Sequence, residues 1–189
     1  MLGLYNLDSW TSCPVSEIDE KLLKQKRAGI IVYTFQPATG TSPRGERDID
    51  QQFKLVFGED SDHEEFTDLA GQVQSGENPI QAAIREFQEE SQRVFGYLRV
   101  KDLRNCIAIF SVDLLIIFVR LIFNRRVIAE AFKKRVAKAE APEVSRLFLL
   151  TLEDVQKAIN DEYSRKLYYP VKMMLSKIPN LEEFALTLP

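Results

Sequence analysis

The sequence predicts an α/β fold with a mixed sheet between helical layers. Three observations carry that expectation: short β-branched and aromatic runs recur along the chain, polar turn-rich stretches separate them, and four segments with helical spacing flank them. The chain has 189 residues, 45% hydrophobic and 28% charged, enough for one domain with a sizeable core. We place that domain at residues 26–189, after an amino-terminal extension over residues 1–25.

The extension carries "EIDEKLLKQKR" (17–27), a candidate short helix. "AGIIVYTFQ" (28–36) and "FKLVFGED" (53–60) are strands by β-branched and aromatic content. The "PATGTSPRGERDIDQ" between them is rich in turn formers, so 28–60 reads as a hairpin with a long connection. "TDLAG" (67–71) is another short extended piece. A helix is expected over about 79–92, because Asn78 is a favourable N-cap and Pro79 a favourable first helical residue.

"CIAIFSVDLLIIFVRLIF" (106–123) approaches the length of a membrane span. Asp113 interrupts it and Arg120 follows, so two buried strands in a hairpin are the better reading, with no membrane involved. "VIAEAFKKRVAKAEA" (127–141) has helical spacing and most of the local basic charge. "VSRLFLLT" (144–151) is a strand. "TLEDVQKAIND" opens a helix at a threonine cap with acids in its first turn. "YYPVKMMLSKI" (168–178), started by Pro170, is expected to be the last helix.

Composition excludes some functions. A net charge of −3 and a pI near 5.4 exclude a wholly basic nucleic-acid binder but allow a local basic patch. Cys13 and Cys106 match neither zinc-site nor redox spacing and read as buried or incidental thiols. The start, "MLGLYNLDSW", lacks the basic and apolar regions of a signal peptide, which makes the cytoplasm the expected location. His63, the single histidine, reads as a loop residue, and no GxxxxGK phosphate loop occurs.

The 79–92 helix holds the densest chemistry. At about 100° per residue, Ile80, Ala83, Ile84 and Phe87 form its core stripe, and Glu86, Glu89 and Glu90 converge at the border with solvent. An acidic surface face is one explanation. Arg85 and Arg93 lie four residues from Glu89, and Arg93 three from Glu90; such pairs contribute about 0.2–0.5 kcal/mol each. Glu86 has no cation three or four positions away and faces Glu90, so a metal-holding face is the other explanation. Periodicity alone leaves both open.

Spacing extends the pattern. Gly71, Glu77, Arg85, Glu86, Phe87, Glu89 and Glu90 stand in order within "GQVQSGENPIQAAIREFQEE". This resembles the signature of the Nudix hydrolases, Gx5Ex7REUxEExGU with U apolar. Two positions depart: Gln92 stands where the family has glycine, and Arg93 where it has an apolar residue. A left-handed turn at Gln92 costs about 1 kcal/mol, so the helix is allowed to run on toward Gly96.

The resemblance implies a Nudix-type α/β/α sandwich. It also implies metal-dependent hydrolysis of a nucleoside diphosphate linked to another group, with Mg2+ or Mn2+ as cofactor. By carry-over, Glu86, Glu89 and Glu90 are metal ligands and the Ala70 carbonyl is a further oxygen donor. Glu77 and Arg85 form an ion pair that fixes the loop against the helix. The general base is Glu89 or Glu143, with Glu140 a third candidate.

Substrate identity lies outside the motif. "REFQEESQRVFG" resembles Nudix proteins of large DNA viruses, some of which remove mRNA caps, so capped RNA is the first candidate substrate and the host cytoplasm the implied location. Free nucleotide derivatives, inositol pyrophosphates and a binding module with little catalysis are the alternatives. Gly71 and the basic Arg125, Arg126, Lys133 and Lys134, with Arg135 and Lys138, are the candidate substrate contacts; a solvated helix face is the ordinary explanation of the basic set. Trp10, Tyr33 and Phe35 are candidate base-stacking residues, with core packing as their ordinary role. Oligomeric state is not legible.

Overall fold

The computed structural model describes residues 6, 10–19, 23–37 and 51–189, so the loop expected at 37–51 lies outside the described residues except for its ends, Pro37 and Gln51, which belong to strands. Eight strands occur among them: β1 (Thr11–Pro14), β2 (Arg27–Pro37), β3 (Gln51–Asp60), β4 (Phe66–Thr67), β5 (Leu69–Gln72), β6 (Ile107–Phe110), β7 (Leu114–Arg120) and β8 (Val144–Leu150). Five helices accompany them: α1 (Pro79–Glu90), α2 (Arg125–Val136), α3 (Leu152–Ile159), α4 (Tyr169–Leu175) and α5 (Leu181–Thr187).

The strands form one mixed sheet in the order β1-β6-β7-β2-β3-β4, with β5 also on β2 and β8 also on β3. β2 runs parallel to β7, and the other pairs are antiparallel. β2 changes partner along its length: Arg27–Ile30 face β5, and Val32–Pro37 face β3. This fork carries the β5 end away from β3 and toward α1.

The central strands are buried on both faces, which is why they read as continuous apolar runs. Ile30 and Val32 of β2, with Leu115, Ile117 and Val119 of β7, pack with Ile80, Ala83 and Phe87 of α1 and Phe132 of α2. Ile31, Tyr33, Leu114, Ile116 and Phe118 point the other way, to Val155 of α3, Val171 and Met174 of α4 and Leu181 of α5. Period-two alternation thus builds two cores and an α/β/α sandwich, as expected. The 106–123 segment is the predicted hairpin, with Asp113 in its turn bonded to Lys26 at 3.1 Å. Among the described residues, no helix is long and apolar enough to cross a membrane.

Several expectations are corrected. No helix occurs over the described part of 17–27, where a single 3-10 turn (Val15–Glu17) precedes irregular chain; residues 20–22 lie outside the described residues. β1 pairs with the edge of β6, a role its short polar sequence does not announce. "TDLAG" is two strands broken at Asp68. The basic helix is α2, beginning at Arg125 because Asn124 caps it, and ending at Val136 rather than residue 141. α5 follows the helix expected to be last, capped by Asn180.

α1 begins as predicted. Asn78 Oδ1 accepts from Gln81 N at 2.9 Å and Gln81 Oε1 accepts from Asn78 N at 3.1 Å, a reciprocal capping box. It ends at Glu90 and does not run on to Gly96. Gln92 (φ 52°) takes the left-handed position itself, while Arg93 N donates to Gln88 O and Gln92 N to Glu89 O. That is a Schellman closure with glutamine in the glycine position.

Candidate active site

Two elements position the acidic residues: α1, and the loop that runs from β5 to the α1 cap. Their link is Arg85. Its Nε and Nη2 bind the two oxygens of Glu77, each at 3.0 Å, and Nη2 also donates to the Gln72 carbonyl at 3.0 Å. The planar guanidinium therefore ties the loop to the helix as the sequence predicts. These hydrogen bonds hold the Glu77 carboxyl below its ordinary value and raise Arg85 further.

Arg85 does more than that pairing. Its Nη1 donates to Glu86 Oε1 at 2.7 Å and to Glu89 Oε2 at 3.1 Å. Glu86, expected to lack a cation three or four positions away, instead takes its immediate neighbour. Arg93 makes no ion pair with Glu89 or Glu90, because the left-handed turn carries it past the helix end.

Gly71 sits against the Glu86 carboxylate. A Cβ there would lie 2.2 Å from Oε1, 2.3 Å from Cδ and 2.6 Å from Oε2. Its contribution is space for that carboxylate, whatever it contributes to substrate.

Glu90 is held from the sheet side. Its Oε2 accepts from Ala70 N at 2.7 Å. Beneath it lies a buried pair that sequence reading missed: Arg27 Nη1 and Nη2 bind Asp68 at 3.0 and 2.7 Å, and Nη2 approaches the Ala70 carbonyl at 3.4 Å. Arg27 and Asp68 stand 41 residues apart, so no local pattern could have joined them.

The electrostatics follow from burial. Burial pushes the Glu90 carboxyl well above its ordinary value; Arg27 and the Ala70 N–H oppose that, and Asp68 and Glu86 reinforce it. Glu86 is raised too, by burial first, against Arg85 and with help from Glu89 and Glu143. Glu143, exposed in the segment entering β8, is the smallest of the contributions that raise Glu86. Glu140 is exposed, with no ion pair among the described residues.

Three carboxylates and a backbone carbonyl are the hard oxygen donors that Mg2+ or Mn2+ takes. As placed, no three His, Cys, Asp or Glu side chains among the described residues stand together as a ligand group. Arg85 Nη1 binds Glu86 and Glu89, and Glu90 accepts from Ala70 N. The donor set still fits a divalent cation, since burial and neighbouring acids raise both Glu86 and Glu90 and a cation would relieve that. Arg85 keeps its grip on Glu77 and Gln72 if Nη1 gives up those two contacts.

Glu89 stands on an exposed ridge between two grooves. One, about 340 Å3, is lined by Arg85, Gln88, Glu89, Arg93 and Arg99; the other, about 520 Å3, by Gln88, Glu89, Gln92, Arg93, Arg135, Lys138 and Ala139. Arg125, Arg126, Lys133 and Lys134 are exposed and line neither. Of the stacking candidates, Tyr33 is fully buried and stacked on Phe53, and Trp10 and Phe35 pack against the same core. Cys106 is buried, which raises its thiol to about 11, and both cysteines are free. His63 is an exposed loop residue 3.0 Å from Asp60.

No protein-family model and no curated protein matches the sequence significantly. Among solved structures, a C. elegans Ap4A hydrolase binary complex shares 18% identity and a TM-score of 0.47, covering 85% of this chain and 98% of that one. The same hydrolase in a second structure gives 17% and 0.43, with 85% and 98% covered. A mutT/nudix family protein from Listeria innocua gives 15% and 0.43, with 85% and 96% covered. At these values they describe a general likeness of shape and assign no residue.

Proposed function

We propose that this chain is a Nudix-type hydrolase that cleaves the diphosphate of a nucleoside diphosphate joined to another group, with Mg2+ or Mn2+. One observation carries the reading: the motif residues, scattered over a strand end, a loop and a helix, contact one another. Arg85 forks onto Glu77, Gly71 makes room for Glu86, and Ala70 N binds Glu90. A solvated acidic face requires none of these contacts.

In this reading Glu86, Glu89 and Glu90 hold the metal, with the Ala70 carbonyl as a further donor. The bound cation supplies charge neutralisation on the diphosphate and a more acidic water. Glu77 and Arg85 keep the loop and helix in register, and Gly71 keeps Glu86 free to point inward. A carboxylate oxygen of Glu143 or Glu89 takes the proton as the water oxygen bonds to phosphorus. The P–O bond of the bridging oxygen breaks, and the leaving phosphate departs with those electrons. Within this class we test the 5′ cap of RNA first, supported by the resemblance of "REFQEESQRVFG" to the viral proteins, and a cytoplasmic site of action accompanies it.

A second reading is a binding module with little catalysis. It is favoured by the Arg85 Nη1 contacts that engage Glu86 and Glu89. The test is hydrolysis of cap-labelled RNA, beside nucleoside diphosphate derivatives and inositol pyrophosphates, with Mg2+ or Mn2+. Release of methylated guanosine diphosphate, abolished in Glu89→Gln and Glu90→Gln, is the expected result. Turnover of small nucleotides alone removes capped RNA from the proposal. Metal binding without turnover on any substrate removes the hydrolase and leaves the binding module.

A further inference from the structure

The 520 Å3 groove at the carboxyl ends of α1 and α2 is lined by Glu89 and by three basic side chains. Arg93 comes from the turn after α1, and Arg135 and Lys138 from the end of α2. All three are exposed, and none makes an ion pair among the described residues. Arg135 donates Nη1 to the Gln92 carbonyl, which ties the two helix ends together and leaves its other N–H groups for a ligand. Arg93 lies over the ring of Tyr97, with 5.7 Å from guanidinium carbon to centroid. Tyr97 is 69% exposed, one of the few large apolar side chains left in solvent.

The ordinary explanation is that cations are favoured at helix carboxyl ends. That accounts for Lys133 and Lys134 as well as for Arg135. It does not explain why Arg135 and Lys138 face Arg93 across a cleft that ends at an acidic candidate site. Nor does it explain Arg93 itself. The Schellman closure needs one left-handed residue, supplied by Gln92, yet Arg93 is left-handed too, at φ 55°. Arg93 lines this groove and the 340 Å3 one, and its guanidinium lies over Tyr97, which lines neither and adjoins them through Arg93.

We propose that this groove binds the run of phosphates adjoining the bond to be cleaved, with Arg93, Arg135 and Lys138 as the phosphate contacts and Tyr97 as a stacking face for a base. The inference rests on the hydrolase reading for the position of Glu89 and deepens it by naming the substrate as a polyanion. Of the basic candidates it keeps Arg135 and Lys138, drops Arg125, Arg126, Lys133 and Lys134, and adds Arg93. The chemistry, consecutive phosphates beside a stackable base, is shared by a nucleoside oligophosphate and by the 5′ end of a single-stranded RNA.

The test is fluorescence anisotropy of a 5′-triphosphorylated RNA of about ten nucleotides on the full chain, in EDTA and at several salt concentrations. Arg93→Gln/Lys138→Gln is compared with Lys133→Gln/Lys134→Gln, which removes the same charge from the neighbouring face. We expect the groove variant to bind at least about tenfold more weakly, with a salt dependence shallower by about one to two ions, and the control to change less than about twofold. Tyr97→Ala is expected to weaken the RNA without weakening inorganic tripolyphosphate as competitor.

Equal losses in the two double variants, or no loss in the groove variant, overturn the proposal. Melting curves confirm that both variants fold, and Arg135→Lys, which keeps the charge, is expected to retain binding. An RNA ending in a 5′-hydroxyl that binds as tightly assigns the groove to the RNA backbone; one that binds more weakly assigns it to the oligophosphate. Because binding is read without metal or turnover, a failed hydrolysis assay and a failed groove are separate results.

Discussion

Gly71→Ala tests the site at the point where sequence and geometry meet. The added Cβ would stand 2.2 Å from Glu86 Oε1, and ordinary contact begins at 3.4 Å. The obstructing atoms are the far end of a flexible side chain, so the carboxylate swings aside and the fold survives. The cost in stability is then small, about 1 kcal/mol, mainly for the lost Arg85–Glu86 contact. The displacement is about 1 Å, several times the roughly 0.2 Å within which metal–ligand distances hold. Losing one carboxylate ligand on that scale should weaken Mn2+ by about 100-fold, near 2.7 kcal/mol. The assay is calorimetric titration of Mn2+ into wild type and variant, with urea denaturation of each. Gly76→Ala is the control: its Cβ meets nothing within 4 Å, but its φ of +84° makes the change a backbone penalty of about 1 kcal/mol with metal affinity intact. Wild-type Mn2+ affinity in Gly71→Ala would refute the placement of Glu86 as a ligand held in that space.

Three further outcomes follow from the same contacts. Arg27→Met or Asp68→Asn leaves one charge buried without its partner and should destabilise by about 3–5 kcal/mol, whereas Arg27→Met/Asp68→Leu should cost less; chemical denaturation of all three decides. Glu77 has a depressed carboxyl in the fold, so its stabilisation is present above the ordinary carboxylate value and is lost as pH falls through the depressed one. Glu77→Gln should therefore flatten the acid limb of Tm against pH, and an unchanged limb would contradict the role of the Arg85 fork. Gln92→Gly removes the left-handed strain at φ 52° and should stabilise by about 1 kcal/mol, offset in part by loss of the Gln92 Nε2 bond to the Glu89 carbonyl; an unchanged denaturation midpoint would place the strain elsewhere.

Much of the molecule was legible because it depends on neighbours in sequence. The α1 cap, its core stripe and the alternation of β2 and β7 are set by contacts within a few residues or by strict period. The order and spacing from Gly71 to Glu90 marked the candidate site for the same reason, since Arg85 and Glu77 lie eight residues apart on one loop and one helix. Even the departure at Gln92 was legible as a conflict; how it resolved was not, because the alternatives differ by only about 1 kcal/mol. Tertiary structure decided the rest. Sheet pairing over distances such as 41 residues put Arg27 and Asp68 under Glu90, and recruited the polar strand β1 to an open edge. Placement of α2 against β8, with Arg135 bonded to the Gln92 carbonyl, put Arg135 and Lys138, rather than Lys133 and Lys134, in the groove that Glu89 also lines. Local sequence fixes the chemistry that a segment carries, but which charges share one low-dielectric space depends on where the sheet brings distant segments together.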